Sequence, residues 1–188
     1  NIKNLRIFKK VNSEIIEGST PNTKILNLSV EEQPTGEISL GAGVGTSGTV
    51  ISGGISENNF LGKGIKLNTN LQISDDSLKG SLTYIKPFFN YTDNTLSTRL
   101  RSTTEDNLGD FGYKISTLGL SLGTEIEQYE NLFFSPEIDF TNENLTTNSS
   151  ASNSLKKQEG SYSDLYFNYG LNFDTRDSSY DPSKGGMV

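Results

Sequence analysis

The chain has 188 residues, enough for one ordinary domain or parts of two, and only 32% of them are hydrophobic, a low share for a soluble core of that size. It contains no cysteine and no histidine, which excludes disulfides, thiolate sites, the usual zinc ligands and the commonest general base. A net charge of −7 with scattered Lys and Arg argues against a nucleic-acid partner, and no run approaches the roughly 18 consecutive apolar residues of a membrane helix.

No secretory signal opens the sequence, and Lys184-Gly185-Gly186-Met187-Val188 reads as the start of a further strand, so both ends read as cut. Leu5, Ile7 and Phe8 fall at helical spacing and predict the last turns of a helix. Two strands follow, Val11 to Ile16 and Lys24 to Val30, around the turn chemistry of Glu17-Gly18-Ser19-Thr20-Pro21-Asn22. A helix followed by a hairpin is the tail of an α+β domain, assigned to residues 1–33. Glu31 to Gly36 reads as a short linker.

From Glu37 onward the period is two. Ile38, Leu40, Ala42 and Val44 share one face of the first strand, against Ser39, Gly41, Gly43 and Gly45. Further strands are predicted at about Thr49–Ser56, Ile65–Ser74, Leu78–Ile85, Thr95–Thr103, Tyr113–Thr124, Leu132–Phe140 and Tyr162–Thr175. Several are as long as tilted membrane strands, about 9–12 residues. The connections Asn58–Gly64, Lys86–Asn94, Glu125–Asn131 and Asp177–Gly185 share one end and carry Phe60, Phe88, Phe89, Tyr91, Tyr129 and Tyr180. At the other end two connections are tight, while Thr104–Gly112 and the nearly low-complexity Glu143–Ser161 read as long polar loops, the second mobile. Aromatics at one boundary and polar loops at the other fit a membrane barrel, and Phe60, Phe88, Phe89, Tyr91 and Tyr129 read as interfacial anchors. A soluble β-sandwich alternates as well, with its apolar residues turned inward.

Lys63 lies between glycines, but a strand follows where a phosphate loop needs a helix, so a turn is the better reading. Asp75-Asp76 and Asp174, Asp177 and Asp181 lack calcium-loop spacing and stand at strand ends, where Asp stabilises turns. Arg99 and Arg101 oppose the apolar face of their strand and should point into a lumen, in a salt-bridge or solvation role. Glycine in the first barrel strand has two readings that pattern leaves even: relief of crowding where the wall curves, or a weakened seam.

Val30 to Gly64 (VEEQPTGEISLGAGVGTSGTVISGGISENNFLGKG) resembles the opening of the barrel in the BamA-like outer-membrane barrel-assembly family. The matching features are Val30-Glu31-Glu32, the Pro34-Thr35-Gly36 step, the glycine-alternating strand Ser39 to Gly45, and Asn59-Phe60-Leu61-Gly62 with Gly64. Downstream, Asp174-Thr175-Arg176-Asp177 with Pro182 and Gly185 resembles the turn after that barrel's eighth strand. The resemblance implies an antiparallel up-and-down transmembrane β-barrel, about eight strands of it over residues 34–188, preceded by the end of a polypeptide-transport-associated (POTRA) domain in the periplasm. It implies no enzyme activity and no cofactor. Implied partners are unfolded outer-membrane β-barrel clients, accessory assembly lipoproteins and the lipid bilayer. It also tips the first strand, Ile38 to Val44, toward a lateral gate that pairs with client strands. Alternatives are a related translocation or two-partner secretion pore and a passive porin-like channel. The family's signature lumen loop would lie beyond Val188.

Overall fold

Period-two alternation sets every second side chain on one face, and the structure joins these strands into one continuous wall. The computed structural model describes residues 7–20, 22–45, 48–177 and 182–188. Strands β1 (Phe8–Glu17) and β2 (Lys24–Glu32) form an antiparallel hairpin. Then come β3 (Gly36–Gly45), β4 (Gly48–Phe60), β5 (Ile65–Ser74), β6 (Ser77–Lys86), β7 (Thr95–Asn107), β8 (Tyr113–Tyr129), β9 (Leu132–Thr147) and β10 (Gly160–Phe173). They make one eight-stranded sheet in which each strand lies beside its sequence neighbours, from β3 at one edge to β10 at the other. This is an up-and-down meander with no Greek-key jump. Past β10, Gly186–Val188 folds back antiparallel: Phe173 and Val188 exchange N–H···O bonds of 2.9 and 3.0 Å.

The expected N-terminal helix is corrected where it can be seen. Phe8 opens β1 opposite Glu32, and the Ile7 carbonyl accepts from Gln33 N at 3.1 Å, so the β2 ladder claims both residues for extended backbone. Leu5 lies outside the described residues. Within the hairpin, Val11↔Val30, Ser13↔Leu28 and Ile15↔Leu26 share one face, and Asn12↔Ser29 and Glu14↔Asn27 the other. The apolar face is exposed.

Directly paired residues share a face, so the wall can be read row by row. One row runs Ile38, Ile55, Thr69, Leu82, Leu100, Leu120, Phe140, Leu165 across all eight strands. The next row, one residue along, runs Ser39, Gly54, Asn70, Ser81, Arg101, Gly119, Thr141, Asp164. The first face is apolar and exposed, and the second polar. Among the described residues only Ile65, Leu145 and Ala151 are buried hydrophobics, while Ser121 is the most enclosed side chain at 1% exposure. A soluble sandwich has the reverse arrangement. The polar face is concave: Ser39, Gly41 and Ser52 of β3 and β4 line one groove of about 500 Å³ with Lys79, Arg101 and Thr103 of β6 and β7.

The described connections divide between a base (61–64, 87–94, 130–131, 174–177 and 182–185) and a rim (75–76, 108–112, 148–159). Several are shorter than the sequence implies. Thr104–Asn107 belong to β7, Glu125–Tyr129 to β8 and Glu143–Thr147 to β9, because ladder pairing continues after the apolar pattern stops. The 148–159 connection is not the loose loop its composition implies. Asn148 donates to the Leu108 carbonyl at 2.8 Å, its Oδ1 accepts from Ser150 N at 2.9 Å, and Ser152 caps helix α1 (Asn153–Lys156). Above the apolar band, β7–β10 therefore carry outward polar residues that remain in the sheet: Asp106, Lys114, Ser116, Asn142, Asn144 and Ser163. Lys114 binds Asp106 there at 2.9 Å. On β5 and β6 the band reaches Ile73 and Leu78, next to the Asp75-Asp76 turn, with no such collar.

An isolated wall with two edges and an uncovered apolar face should not stay dispersed in water. Expressed alone, the 188-residue chain is expected to aggregate in detergent-free buffer. Light scattering showing a monodisperse species with a cooperative melt would contradict this fold assignment.

Candidate functional site

Strand β3 forms one edge of the wall, and no described strand pairs with its outer side. All ten residues, Gly36 to Gly45, are exposed, Leu40 at 87% and Val44 at 88%. Ile38, Leu40, Ala42 and Val44 lie on the apolar outer face, and Ser39, Gly41 and Gly43 on the polar inner one, as their alternation predicts. Space does not require glycine here. A Cβ at Gly43 or Gly45 would meet nothing within 4 Å, and one at Gly41 only the Ser52 hydroxyl. From Gly41 onward this face of β3 has no side chains to pack and depends on its ladder with β4.

At its base the strand is fastened. Thr35 Oγ1 donates to the Glu57 carboxylate, which also accepts from Asn59 N at 2.7 Å. Asn58 N donates to the Thr35 carbonyl at 3.3 Å, and Asn59 Oδ1 closes the following turn by accepting from Gly64 N at 2.7 Å. Lys63 sits in that turn, between β4 and β5. Glu57 was not singled out in the sequence, and Asn59 only as part of the motif that carries the family resemblance; the bonds they make depend on the loop's fold.

Four strands away the wall is cross-linked. Arg101 on β7 points to the inner face and forms an ion pair with Asp139 on β9, as the lumen salt-bridge reading of this arginine expects. Its guanidinium also donates to Ser121 on β8 at 3.1 Å and Thr141 on β9 at 3.3 Å, and Ser121 donates to Asp139 at 3.3 Å. The side chain can cross β8 only because Gly119 lies opposite it: a Cβ there would sit 2.7 Å from Arg101 Nε. Asp139 is only 12% exposed at its side chain, and removal of Arg101 would leave this nearly buried carboxylate without its ion-pair partner. Arg99 faces the same side, exposed, and makes no ion pair among the described residues.

Phe60, Phe88, Phe89, Tyr91 and Tyr129 all lie at the base. Phe88, Asn90 and Tyr91 adopt left-handed backbone, φ 52°, 55° and 60°, which is unfavourable for such side chains by on the order of 1 kcal/mol each. Phe89 N to the Asn94 carbonyl at 2.8 Å and Thr92 Oγ1 to the Phe89 carbonyl at 2.6 Å hold the turn, and Lys86 Nζ stands 5.6 Å from the Phe89 ring centre. Tyr180 and Asp181 lie outside the described residues. Asp75-Asp76 forms a two-residue turn in which Ser74 donates to Asp76. No group of three or more metal-ligating side chains occurs among the described residues.

Asp174 and Arg176 organise the turn after β10. Arg176 Nε and Nη2 donate to the Asp174 carboxylate at 2.8 and 2.7 Å, and with the Arg176 N–H they hold its pKa down to about 2. Asp177 accepts from Ser183 and Lys184 N–H groups at 2.9 and 3.1 Å and is likewise lowered, the Ser183 hydroxyl contributing most. Gly185 (φ 86°) is obligatory in this turn, since a Cβ would strike the Thr175 carbonyl.

An antiparallel meander with apolar residues outward, polar residues inward and aromatics at one boundary defines a transmembrane β-barrel wall. Residues 59–188 match the Omp85 superfamily domain, and the chain belongs to that superfamily. The outer membrane protein assembly factor BamA of Neisseria meningitidis is 38% identical over 71 residues, which is 37% of this chain and 9% of that protein. A putative outer membrane protein assembly factor of Treponema pallidum is 32% identical over 95 residues, 47% of this chain and 11% of its own length. Among solved structures, BamA from Haemophilus ducreyi lacking POTRA domains 1–3 superposes with a TM-score of 0.70 at 23% identity, over 99% of this chain and 39% of that one. CdiB from Acinetobacter baumannii superposes at 0.56 and 18%, over 92% and 35%. The chain thus spans well under half of each of these relatives.

Two outcomes follow. Arg101→Ala should destabilise the barrel by about 2 kcal/mol in urea titrations in vesicles, less than the roughly 3–5 of a fully dry pair because the inner face is wet; Gly119→Val should act similarly, and the double change Arg101→Met with Asp139→Leu should recover much of the loss. The Asp174–Arg176 turn contributes stability that is complete above the ordinary carboxylate range and is lost as pH falls through about 2. Normalised amide-exchange protection at Gly186 and Val188 should therefore persist well below pH 4, and Asp174→Asn should remove that acid dependence.

Proposed function

We propose that this chain is the opening portion of the barrel of a longer outer-membrane protein that folds and inserts other β-barrel proteins, with β3 as the strand that pairs with a client. The observation that carries this is an edge strand latched at its base by Thr35 and Glu57 and stripped of inner side chains from Gly41 onward, although space would admit them at Gly43 and Gly45. A locally opened β3 exposes a run of N–H and C=O groups in the membrane. A client strand with the same need satisfies both sets without either meeting lipid unpaired. No nucleotide or covalent step is required: the exchange of backbone hydrogen bonds is the reaction.

In this reading residues 34–188 are the first half of the barrel, and residues 1–33 are the end of a POTRA domain in the periplasm. The hairpin's uncovered apolar face supports the second assignment, since an α+β domain would bury it. So does the superposition, which covers 99% of the chain and so extends across the hairpin. The base faces the periplasm, and Phe60, Phe88, Phe89, Tyr91 and Tyr129 anchor it at the headgroups. The partners are unfolded outer-membrane barrel clients, with accessory lipoproteins at the periplasmic domains. A translocation pore is the second reading, favoured by the superposition on CdiB.

The chain is free of cysteine, so single cysteines at Ser39, Gly41 and Gly43 of the full-length protein can be tested with little background, with Asn70 on β5 as control. A stalled client carrying a cysteine in its last strand should crosslink in register along β3 and not at Asn70. Gly43→Val, which fills open space, should leave the barrel folded while slowing client insertion. Crosslinks absent along β3, with the strand bonded only to the protein's own last strand, would point to the pore instead.

A further inference from the structure

Pro136 stands in β9, an interior strand, where it has no N–H to give the ladder. Pairing of β8 with β9 is interrupted there, between Gly123↔Glu137 and Ile126↔Phe134, leaving Thr124 and Pro136 facing each other as the two smallest outward residues of the neighbourhood. The rows on either side are bulky: Leu122, Ile138 and Phe167 toward the rim, and Ile126, Phe134 and Leu171 toward the base. Between them runs a furrow of about 530 Å³ in the apolar face, floored by Thr124 and Pro136 and bounded by Leu96 and Tyr169.

The furrow lies along the sheet row Leu96, Thr124, Pro136, Tyr169, and the next residue of that row, beyond its Leu96 edge, is Lys86. At one end Lys86 is the last residue of β6, at the base boundary, with its ammonium over Phe89. At the other, Tyr169 lies well inside β10, so the row climbs from the boundary into the apolar band. A cation at headgroup level, one strand beyond the Leu96 edge of an apolar furrow running inward, matches the charge and shape of an acidic or zwitterionic phospholipid. We propose that this furrow is a phospholipid site, taking one acyl chain over Thr124 and Pro136 with the phosphate at Lys86. The lipid belongs to the leaflet at the base. The site rests on the membrane-barrel assignment and is independent of whether β3 acts as a client gate.

The test uses the full-length protein in mild detergent, titrated with palmitoyl-oleoyl phosphatidylglycerol and followed by native mass spectrometry. Wild type is expected to retain one lipid that Thr124→Phe, which fills the floor, loses. Lys86→Gln should weaken retention about fivefold, the loss of one cation's contact with a phosphate. Leu82→Phe, on the same apolar face outside the furrow, should retain the lipid. Equal retention by wild type and Thr124→Phe, loss in Leu82→Phe as well, or no retained lipid at all would overturn the proposal. The heat-dependent gel mobility of a folded barrel reports whether Thr124→Phe is folded, and Lys86→Gln carries the test if it is not. Crosslinking at Gly41 in the same preparations reads the gate separately, so loss of the lipid site and failure of the insertase reading are told apart.

Discussion

Everything in this wall follows from one constraint: inside a bilayer each backbone N–H and C=O must be paired by the protein, because lipid offers no substitute. Eight consecutive strands meet it by bonding each to the next, and the side chains then need only match lipid on one face and water on the other. That is why the two adjacent rows Ile38 to Leu165 and Ser39 to Asp164 differ so completely although their members are sequence neighbours. It is also why the sites of interest are the places where the ladder lacks something. At β3 no described strand supplies the second partner, and at Pro136 the donor itself is missing.

The wall's mechanical character changes from one side to the other. Around β7, β8 and β9 an arginine, a serine, a threonine and an aspartate tie three strands together across the inner face, with Gly119 clearing the path. Around β3 the inner face is Ser39, Gly41, Gly43 and Gly45, held above its base latch by backbone bonds to β4 alone. A load that separates strands would meet side-chain resistance on the first side and only ladder bonds on the second. In the proposed insertase this asymmetry directs opening to the seam and spares the rest of the barrel.

Most of the fold was legible because lipid and water impose a period that survives in single residues. All eight barrel strands and the hairpin lie where the alternation places them. The misreadings share a cause. At Thr104–Asn107 and Glu143–Thr147 the outward face is polar because the strand has left the band, so the period fades while hydrogen bonding continues. Phe8 looked helical because its strand partner Glu32 gives no local signal. The site was legible in composition but not in geometry. Glycine enrichment marked β3, and alternation turned Arg101 inward, yet Asp139 lies 38 residues away and becomes its partner only through the register of two ladders. Pro136 was not singled out in the sequence, and its meaning needs the rows on both sides.

The collar on β7–β10 makes the wall lopsided in height. On that side five to seven residues of hydrogen-bonded sheet stand above the apolar band, roughly 20 Å of strand, finished by α1 and its turns. Beside β3 the apolar pattern runs to Val44, at the very end of the strand. In the proposed insertase, a client hairpin moving sideways past β3 would meet no overhang among the described residues, and the length of its loop would place no demand on the wall. The same passage at β8 and β9 would require lifting that loop over a parapet. In the proposed insertase the route out would be set by topography as well as by bond strength.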